Sequence, residues 1–435
     1  MQNMFRLRIC YDFKEIKESE CGSFMDTDVL AKPTLQQLAW QDLELGMFCH
    51  FGMNTFCDQE WGEGTDSPLK FNPAQLDARQ WVRTAKQAGF KYFVLTAKHH
   101  DGFCLWPTKT TDYSVKSSPW KDGQGDVVRE VSDACREEGL HFGLYLSPWD
   151  RHEPCYSDKA AYDDFYAEQL TELLTHYGPL VEVWFDGAGS QGREYDWKRI
   201  IGLVNQYQPD AMVFNMGQPT IRWVGNEDGV APYPCWNTAE SARESMFTSD
   251  MLTWMEGTTS WVPAECDVPI RKRHWFWHPD DESSLHSLEH LMDLYYRSVG
   301  HGATMLLNVA PDDRGLLPDV DVQRVIELGD EIRRRFDAPL AVTTGEGMEA
   351  TLHLDGEQSV DHVILMEDIA YGERVREYVL EAKYKGEWVE LVNGSAIGHK
   401  KIDKFAAVKT SELRVRFTAC AATPITRRFA AYSIG

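Results

Sequence analysis

The chain has 435 residues, 43% of them hydrophobic and 26% charged, which is enough to bury a large core and leaves length for a second, smaller unit. Its 68 acidic and 44 basic residues give a formal charge of -24, which argues against nucleic acid or an anionic membrane surface as a partner. No stretch approaches the roughly 20 apolar residues of a membrane span. Met1–Ser23 lacks the apolar core of a signal peptide, so the expectation is a cytoplasmic protein, or a periplasmic or secreted one if a leader has been removed.

Residues 1–33 read as an irregular polar segment. From 34 to 337 strand-like and helix-like segments alternate, as in a parallel βα architecture. Short apolar strands are expected at Gly46–His50, Tyr92–Ala97, Phe142–Leu146, Val181–Phe185, Met212–Asn215 and Thr304–Val309, with a less regular one at Trp261–Glu265. Amphipathic helices fall between them at Ala78–Ala88, Val127–Glu138, Ala160–His176, Lys198–Gln206, Leu285–Val299 and Val320–Arg335. Residues that carry chemistry follow almost every strand, which is how a (β/α)8-like barrel assembles its site. No Gly-x-Gly-x-x-Gly follows the first strand, so an open dinucleotide-binding sheet is disfavoured. Over 338–435 the pattern changes to period-two alternation with Gly- or Asp-containing turns, and this reads as a small antiparallel β-sandwich.

The ten cysteines include no Cys-x-x-Cys pair. Cys49, Cys104 and Cys135 sit in apolar patterns and read as reduced core residues.

The densest chemistry lies at strand ends. Phe48-Cys49-His50-Phe51-Gly52 leads to Glu60-Trp61. Lys98-His99-His100-Asp101-Gly102 follows the second strand, Tyr145 closes the third, and Trp184-Phe185-Asp186 closes the fourth. Arg222-Trp223-Val224-Gly225-Asn226-Glu227-Asp228-Gly229 lies after the fifth. Each residue alone has a structural explanation: a capping Asp, a packed Trp, a solvated loop acid. Invoking that explanation at every strand end independently is a poor account of the set. Two carboxylates with histidines and tryptophans at one barrel mouth suit glycoside hydrolysis, where one acid attacks the anomeric carbon and the other protonates the departing oxygen. A rigid strand-end Asp suits the first task, and a loop Glu beside aromatic surface suits the second.

His50, His99, His100 and Asp186 could also supply a barrel metallohydrolase. The His-x-His and His-Glu-x-x-His patterns are absent, however, and adjacent His99 and His100 project oppositely in an extended chain. No metal or other cofactor is expected. A sugar-binding protein that has lost catalysis is the alternative from another class, and the retained carboxylates speak against it.

The ordered blocks Gly46-Met47-Phe48-Cys49-His50-Phe51-Gly52, Phe71-Asn72-Pro73, Leu95–Phe103, Gly143–Trp149, Glu182–Gly187 and Met305–Pro311 resemble the α-L-fucosidases of glycoside hydrolase family 29. The resemblance spans about residues 36–337. It implies a retaining exo-fucosidase on a (β/α)8-like barrel with a C-terminal β-sandwich, acting on a fucosylated oligosaccharide or glycoconjugate. It also implies that Asp186 is the nucleophile, and that His50, Glu60, Trp61, His99, His100, Tyr145, Trp184 and Arg222 bind fucose. Glu227 matches the acid/base position of the branch that cleaves α-1,3/4 linkages of the Lewis type. Other members place that Glu in a Thr-Pro-Glu context which this chain lacks, and Glu265, in Pro263-Ala264-Glu265-Cys266-Asp267, is the reserve. Trp275 and Trp277 are expected to add an aromatic wall, and loops near Asn237 or Trp254 are candidates for a second sugar subsite. Broad or α-1,2 specificity, or transfucosylation, is the alternative within the family.

Overall fold

The computed structural model describes residues 30–239 and 260–435. Trp254 and residues 1–29 therefore lie outside the described residues. Eight parallel strands form one sheet: β1 (Leu45–Cys49), β2 (Tyr92–Lys98), β3 (His141–Leu146), β4 (Glu182–Trp184), β5 (Met212–Phe214), β6 (Arg222–Trp223), β9 (Ala264–Pro269) and β10 (Thr304–Asn308). Their spatial order is β5-β4-β3-β2-β1-β10-β9-β6. A single parallel bridge between Phe214 and Ile221 joins the two edges, so the sheet is a nearly closed barrel. β7 (Thr238–Ala239) and β8 (Ser260–Trp261) form a separate two-residue antiparallel arm.

β1 and β2 are buried along their whole length, as expected where helices cover the outside of a parallel sheet and side chains fill the inside. The covering helices are α1 (Leu35–Gln41), α3 (Ala78–Gln87), α4 (Val127–Glu138), α5 (Lys159–His176), α6 (Trp197–Tyr207), α7 (Leu288–Arg297) and α8 (Asp319–Phe336), with α2 (Met53–Cys57) a short turn above β1. Local chemistry fixes their starts. The side chains of Asp77, Asp126, Asp158, Asp196 and Ser287 each accept a backbone N–H in the first turn of α3 to α7, and Thr34 with Gln37 closes a capping box on α1. Among the described residues no helix is long and apolar enough to cross a membrane. Their eight cysteines are all free, and Cys49, Cys104 and Cys135 are buried.

One strand differs from the sequence expectation. The apolar pair Trp261–Val262 belongs to the outer arm or follows it, and the barrel strand is displaced to Ala264–Pro269. Its inward-facing residues are Glu265 and Asp267, so the hydropathy pattern conceals it.

The C-terminal unit is one antiparallel sheet of β11 (Ala341–Glu346), β12 (Glu349–Glu367), β13 (Val375–Tyr384), β14 (Glu387–Gly394), β15 (Lys401–Cys420) and β16 (Ile425–Tyr432), ordered β11-β16-β12-β15-β13-β14. β12 runs unbroken through its register shifts, where period-two alternation with turns suggests shorter strands. Leu352, Val363, Leu365, Tyr378, Leu380, Val415 and Phe429 fill its core. Glu44, below β1, ties this sheet to the barrel through Lys400 Nζ (2.5 Å) and His399 Nε2 (3.1 Å). Burial alone would raise the Glu44 carboxyl, but these two partners hold it down at about 2.

Candidate active site

The barrel mouth holds a cavity lined by Asp186, Glu227, Asp267, three histidines and the rings of Phe48, Trp61, Trp184, Phe214, Trp223 and Trp275. Along β4, Glu182 and Trp184 face inward and Val183 faces the helices, so the chain delivers Asp186 to the mouth one step above Trp184. Trp184 is wedged flat between Phe214 (centroids 3.8 Å apart) and Tyr145 (5.4 Å), which fixes the floor. Asp186 is then held at both oxygens. Oδ2 accepts the Tyr145 hydroxyl at 2.9 Å and Oδ1 accepts the Ala188 backbone N–H at 2.8 Å. Its side chain remains 20% exposed. The turn beyond it lies against Trp149: Gly189 has φ +71, and a Cβ there would meet the indole at 1.9 Å. The result is a rigid carboxylate with a free approach from the cavity.

The hydrogen-bond network assigns the histidine tautomers. Asn308 Oδ1 accepts the His50 backbone N–H (3.1 Å), and its Nδ2 donates to the Trp275 carbonyl. The same oxygen must therefore receive a proton from His50 Nδ1 at 2.8 Å, which leaves His50 Nε2 as an acceptor. Asn54 works the other way. Its Oδ1 takes the Gly62 N–H, and its Nδ2 faces His99 Nδ1 at 3.3 Å, so the His99 proton sits on Nε2. His100 Nδ1 donates to Ser147 Oγ (2.7 Å), whose own proton goes to the Trp149 carbonyl. Its Nε2 lies 3.6 Å from Asp186 Oδ2, a pairing of two acceptors that suits a hydroxyl placed beside both. Burial lowers all three imidazoles, His50 to about 3, so they are neutral hydroxyl-reading groups rather than cations.

His99 and His100 do not project oppositely, as an extended chain would require. β2 ends at Lys98 and the chain turns, so both rings face the cavity with centroids 4.1 Å apart. Among the described residues no group of three His, Cys, Asp or Glu side chains is arranged to hold a metal ion.

Glu227 stands on the rim. Asn226 shapes its loop, accepting the N–H groups of Asp228 and Val230 and donating to the Val230 carbonyl. Gly229 presses on β9, where a Cβ would come within 2.7 Å of Val268. Although Glu227 is exposed as a residue, its neighbours crowd the carboxyl and remove water from it, which raises its pKa. A hydrogen bond from Trp275 opposes that shift, and the charges of Asp186, Glu60 and Asp228 add to it.

Four sequence-selected residues lie off the cavity wall, as does Tyr145, which stands behind Asp186. Glu60 accepts the backbone N–H groups of Trp275 (2.9 Å) and Phe276 (3.2 Å) and contacts His278 Nε2 (2.7 Å), so it anchors the loop that presents Trp275. Arg222 is fully buried and donates to the Trp236 carbonyl (3.0 Å). Trp277 is half-buried beside that loop. Glu265 is fully buried one level below, accepting from Trp184 Nε1 (2.9 Å) and Tyr92 OH (2.8 Å), and does not reach the cavity. Asn237, near the candidate second subsite, is 2% exposed and tied to Glu373.

Three lining or supporting groups escaped the sequence reading. Trp149 packs against His100 and Trp61. Asn215, at the end of β5 with φ +66, shows the same signal as Asp186: a polar residue directly after a short apolar strand. Asp267 is hidden in the strand that hydropathy conceals.

The family profile for α-L-fucosidase matches residues 58–334. The chain is 41% identical to α-L-fucosidase 1 of Arabidopsis thaliana, over 88% of this chain and 83% of that protein. Among solved structures it resembles a glycoside hydrolase 29 family member from an unknown rumen bacterium, with 39% identity, TM-score 0.87, and coverage of 93% of this chain and 78% of that one. It also resembles a Ruminococcus gnavus family 29 fucosidase in complex with fucose, with 32% identity, TM-score 0.86, and coverage of 96% and 97%. The barrel and the additional sheet are thus those of known family 29 structures, and the chain belongs to the α-L-fucosidase family.

Proposed function

We propose that this protein is a retaining exo-α-L-fucosidase that uses Asp186 as nucleophile and Glu227 as acid/base. The observation that carries the reading is the contrast between the two carboxyls: Asp186 is clamped by Tyr145 and Ala188, and Glu227 sits on the rim with its pKa raised. Asp186 attacks the anomeric carbon as Glu227 protonates the departing oxygen, giving a fucosyl ester and a free aglycone. Glu227, now ionised, takes a proton from water as that water attacks the anomeric carbon, breaking its bond to the Asp186 oxygen, releasing fucose and regenerating the carboxylate. Formation of the ester removes the Asp186 charge that had helped keep Glu227 protonated, so the acid becomes a base when the second step needs one. A retaining pair stands about 5–5.5 Å apart, close enough for this coupling. The neutral imidazoles of His50, His99 and His100 bond the sugar hydroxyls, and Trp61, Trp184 and Trp275 cover its apolar faces. Glu60 acts on the sugar through the Trp275 loop.

The substrate we propose is terminal α-1,3/4-linked fucose of a Lewis-type oligosaccharide. The Gly225-Asn226-Glu227-Asp228-Gly229 context of the acid/base supports this. A slow fluorinated fucosyl donor should add one fucosyl unit to the peptide containing Asp186, detected by mass spectrometry; labelling elsewhere would reject the nucleophile. Fucose release from Lewis a and Lewis x trisaccharides should exceed release from 2′-fucosyllactose, and the reverse order would reject the linkage.

A further inference from the structure

One acid of the cavity wall has no task in this reaction. Asp267 lies two residues beyond Glu265 on β9 and on the same inward side, so it rises from the barrel interior to the mouth. It is 3% exposed, and its Oδ1 has no hydrogen-bond partner among the described residues. Buried polar atoms are almost always paired, and an unpaired ionised oxygen is the costliest case, so an acid with one sealed and partnerless oxygen is held there most cheaply as a neutral group, on a wall the ligand meets. The close contact of Gly229 with Val268 keeps the Glu227 loop seated directly beside it. Among the described residues no lysine or arginine lines the cavity. An ionised Asp267 would therefore set a second negative charge beside Asp186, and a third once Glu227 has given up its proton, with no cation among the described lining residues to offset them.

We propose that Asp267 is a protonated carboxylic acid of the sugar subsite that bonds one ring hydroxyl of the fucosyl unit. This rests on the fucosidase reading above and adds a residue to it. A neutral acid offers one O–H donor and one carbonyl acceptor, the complement of a hydroxyl that both accepts and donates. Asp186 cannot serve in this way, because an ionised carboxylate only accepts. Burial first, then the neighbouring carboxyls of Glu227, Glu265 and Asp186, push the Asp267 carboxyl well above the usual carboxylate range, the direction that favours the neutral acid.

The test crosses variants at Asp267 with an aryl α-L-fucoside and its monodeoxy analogues at each ring hydroxyl. For Asp267→Ala, kcat/KM on the parent fucoside should fall roughly ten- to a hundredfold. On the one analogue lacking the partner hydroxyl the same variant should lose less than about threefold, since nothing remains there to bond. Asp267→Asn, whose amide also has a donor and an acceptor, should stay within about fivefold of the native enzyme on the parent. Equal penalties on every analogue would overturn the proposal, because a structural role does not distinguish hydroxyls. So would an Asp267→Asn variant as damaged as Asp267→Ala. If the alanine variant does not fold, Asp267→Leu fills the same volume without a polar atom and the same cross applies. A native protein inactive on the parent fucoside would reject the fucosidase reading itself, whereas equal penalties in an active enzyme reject Asp267 alone.

Discussion

Asp186 and Glu265 stand on successive levels inside one barrel, and both bond a hydroxyl of an inward-facing tyrosine. In the lower level Glu265 has both oxygens taken, by the indole of Trp184 and the phenol of Tyr92, and it is sealed from solvent. Glu182 beside it accepts from Trp40 Nε1 (3.2 Å), and burial with mutual repulsion leaves this pair holding a proton. In the upper level Asp186 is bonded as firmly, but one side of it remains open to the cavity. Glu265 is saturated and sealed, whereas Asp186 meets the cavity. Access to the cavity therefore separates the acid proposed to work from the one that supports it, where residue type and strand position do not.

The sharpest way to break that contrast is to neutralise each acid. Asp186→Asn keeps the shape and both hydrogen-bonded neighbours but removes the nucleophilic charge, so kcat on an aryl fucoside should fall by about 10⁴-fold or more with little change in melting temperature. Glu265→Gln should retain activity within about tenfold, because it touches the sugar only through Trp184. Substantial turnover by the first variant, or none by the second, would reverse the assignment of the two levels. Glu227→Ala comes next. Loss of general acid/base catalysis should cost roughly 10²–10⁴-fold on a substrate with a poor leaving group. Azide should restore turnover of an activated aryl fucoside in this variant, and rescue appearing only in a Glu265 variant would move the acid/base down one level.

Much of the upper level was legible in the sequence because strand ends announce themselves: an apolar run stops at His50, Lys98, Tyr145-Leu146 or Phe185, and polar residues follow. That signal placed Asp186, His50, His99 and His100 correctly at one mouth. It failed where the strand itself carries acids. β9 has Glu265 and Asp267 on its inner face, so it lacks a barrel strand's hydropathy, and the apolar Trp261 drew the expected strand three residues early. It also could not tell whether a residue faces the cavity or a neighbour. Glu60 and Arg222 are spent on backbone groups of Trp275, Phe276 and Trp236, partners set by tertiary contacts that no local pattern encodes. In the C-terminal sheet, period-two alternation found the strands but not their continuity, because β12 and β15 run through their bulges.

Glu60 tests how far the upper level depends on indirect support. Its carboxylate accepts two backbone N–H groups of the loop that presents Trp275, and Glu60→Gln weakens both by removing the charge. We expect kcat/KM to fall about tenfold. The Glu60 charge is one of the repulsions that raise Glu227, so its removal should move the alkaline limb of the pH profile to lower pH, whereas a loosened Trp275 bond on its own would move it higher. A lower kcat/KM with the limb moved to higher pH would show that the loosened Trp275 bond outweighs the lost Glu60 charge.

The smallest effect concerns the lower level and is read in stability. Burial raises Glu265 from an ordinary 4.5 to about 7 in the folded chain, against the indole and phenol that favour its ionised form. Between those two values the folded state retains a proton that the unfolded state releases, so stability falls as pH rises through that window. Glu373, buried and raised to about 7 against Asn237, acts in the same direction. Glu44, held at about 2, acts oppositely and loses its contribution only as pH falls below the ordinary carboxylate range. The melting temperature should therefore decline between about pH 5 and pH 8, and Glu265→Gln should decline less steeply because its amide has no proton to lose. A decline equally steep in that variant would place the titrating groups elsewhere. It would also remove the reason for regarding the lower level as an uncharged scaffold on which the upper level rests.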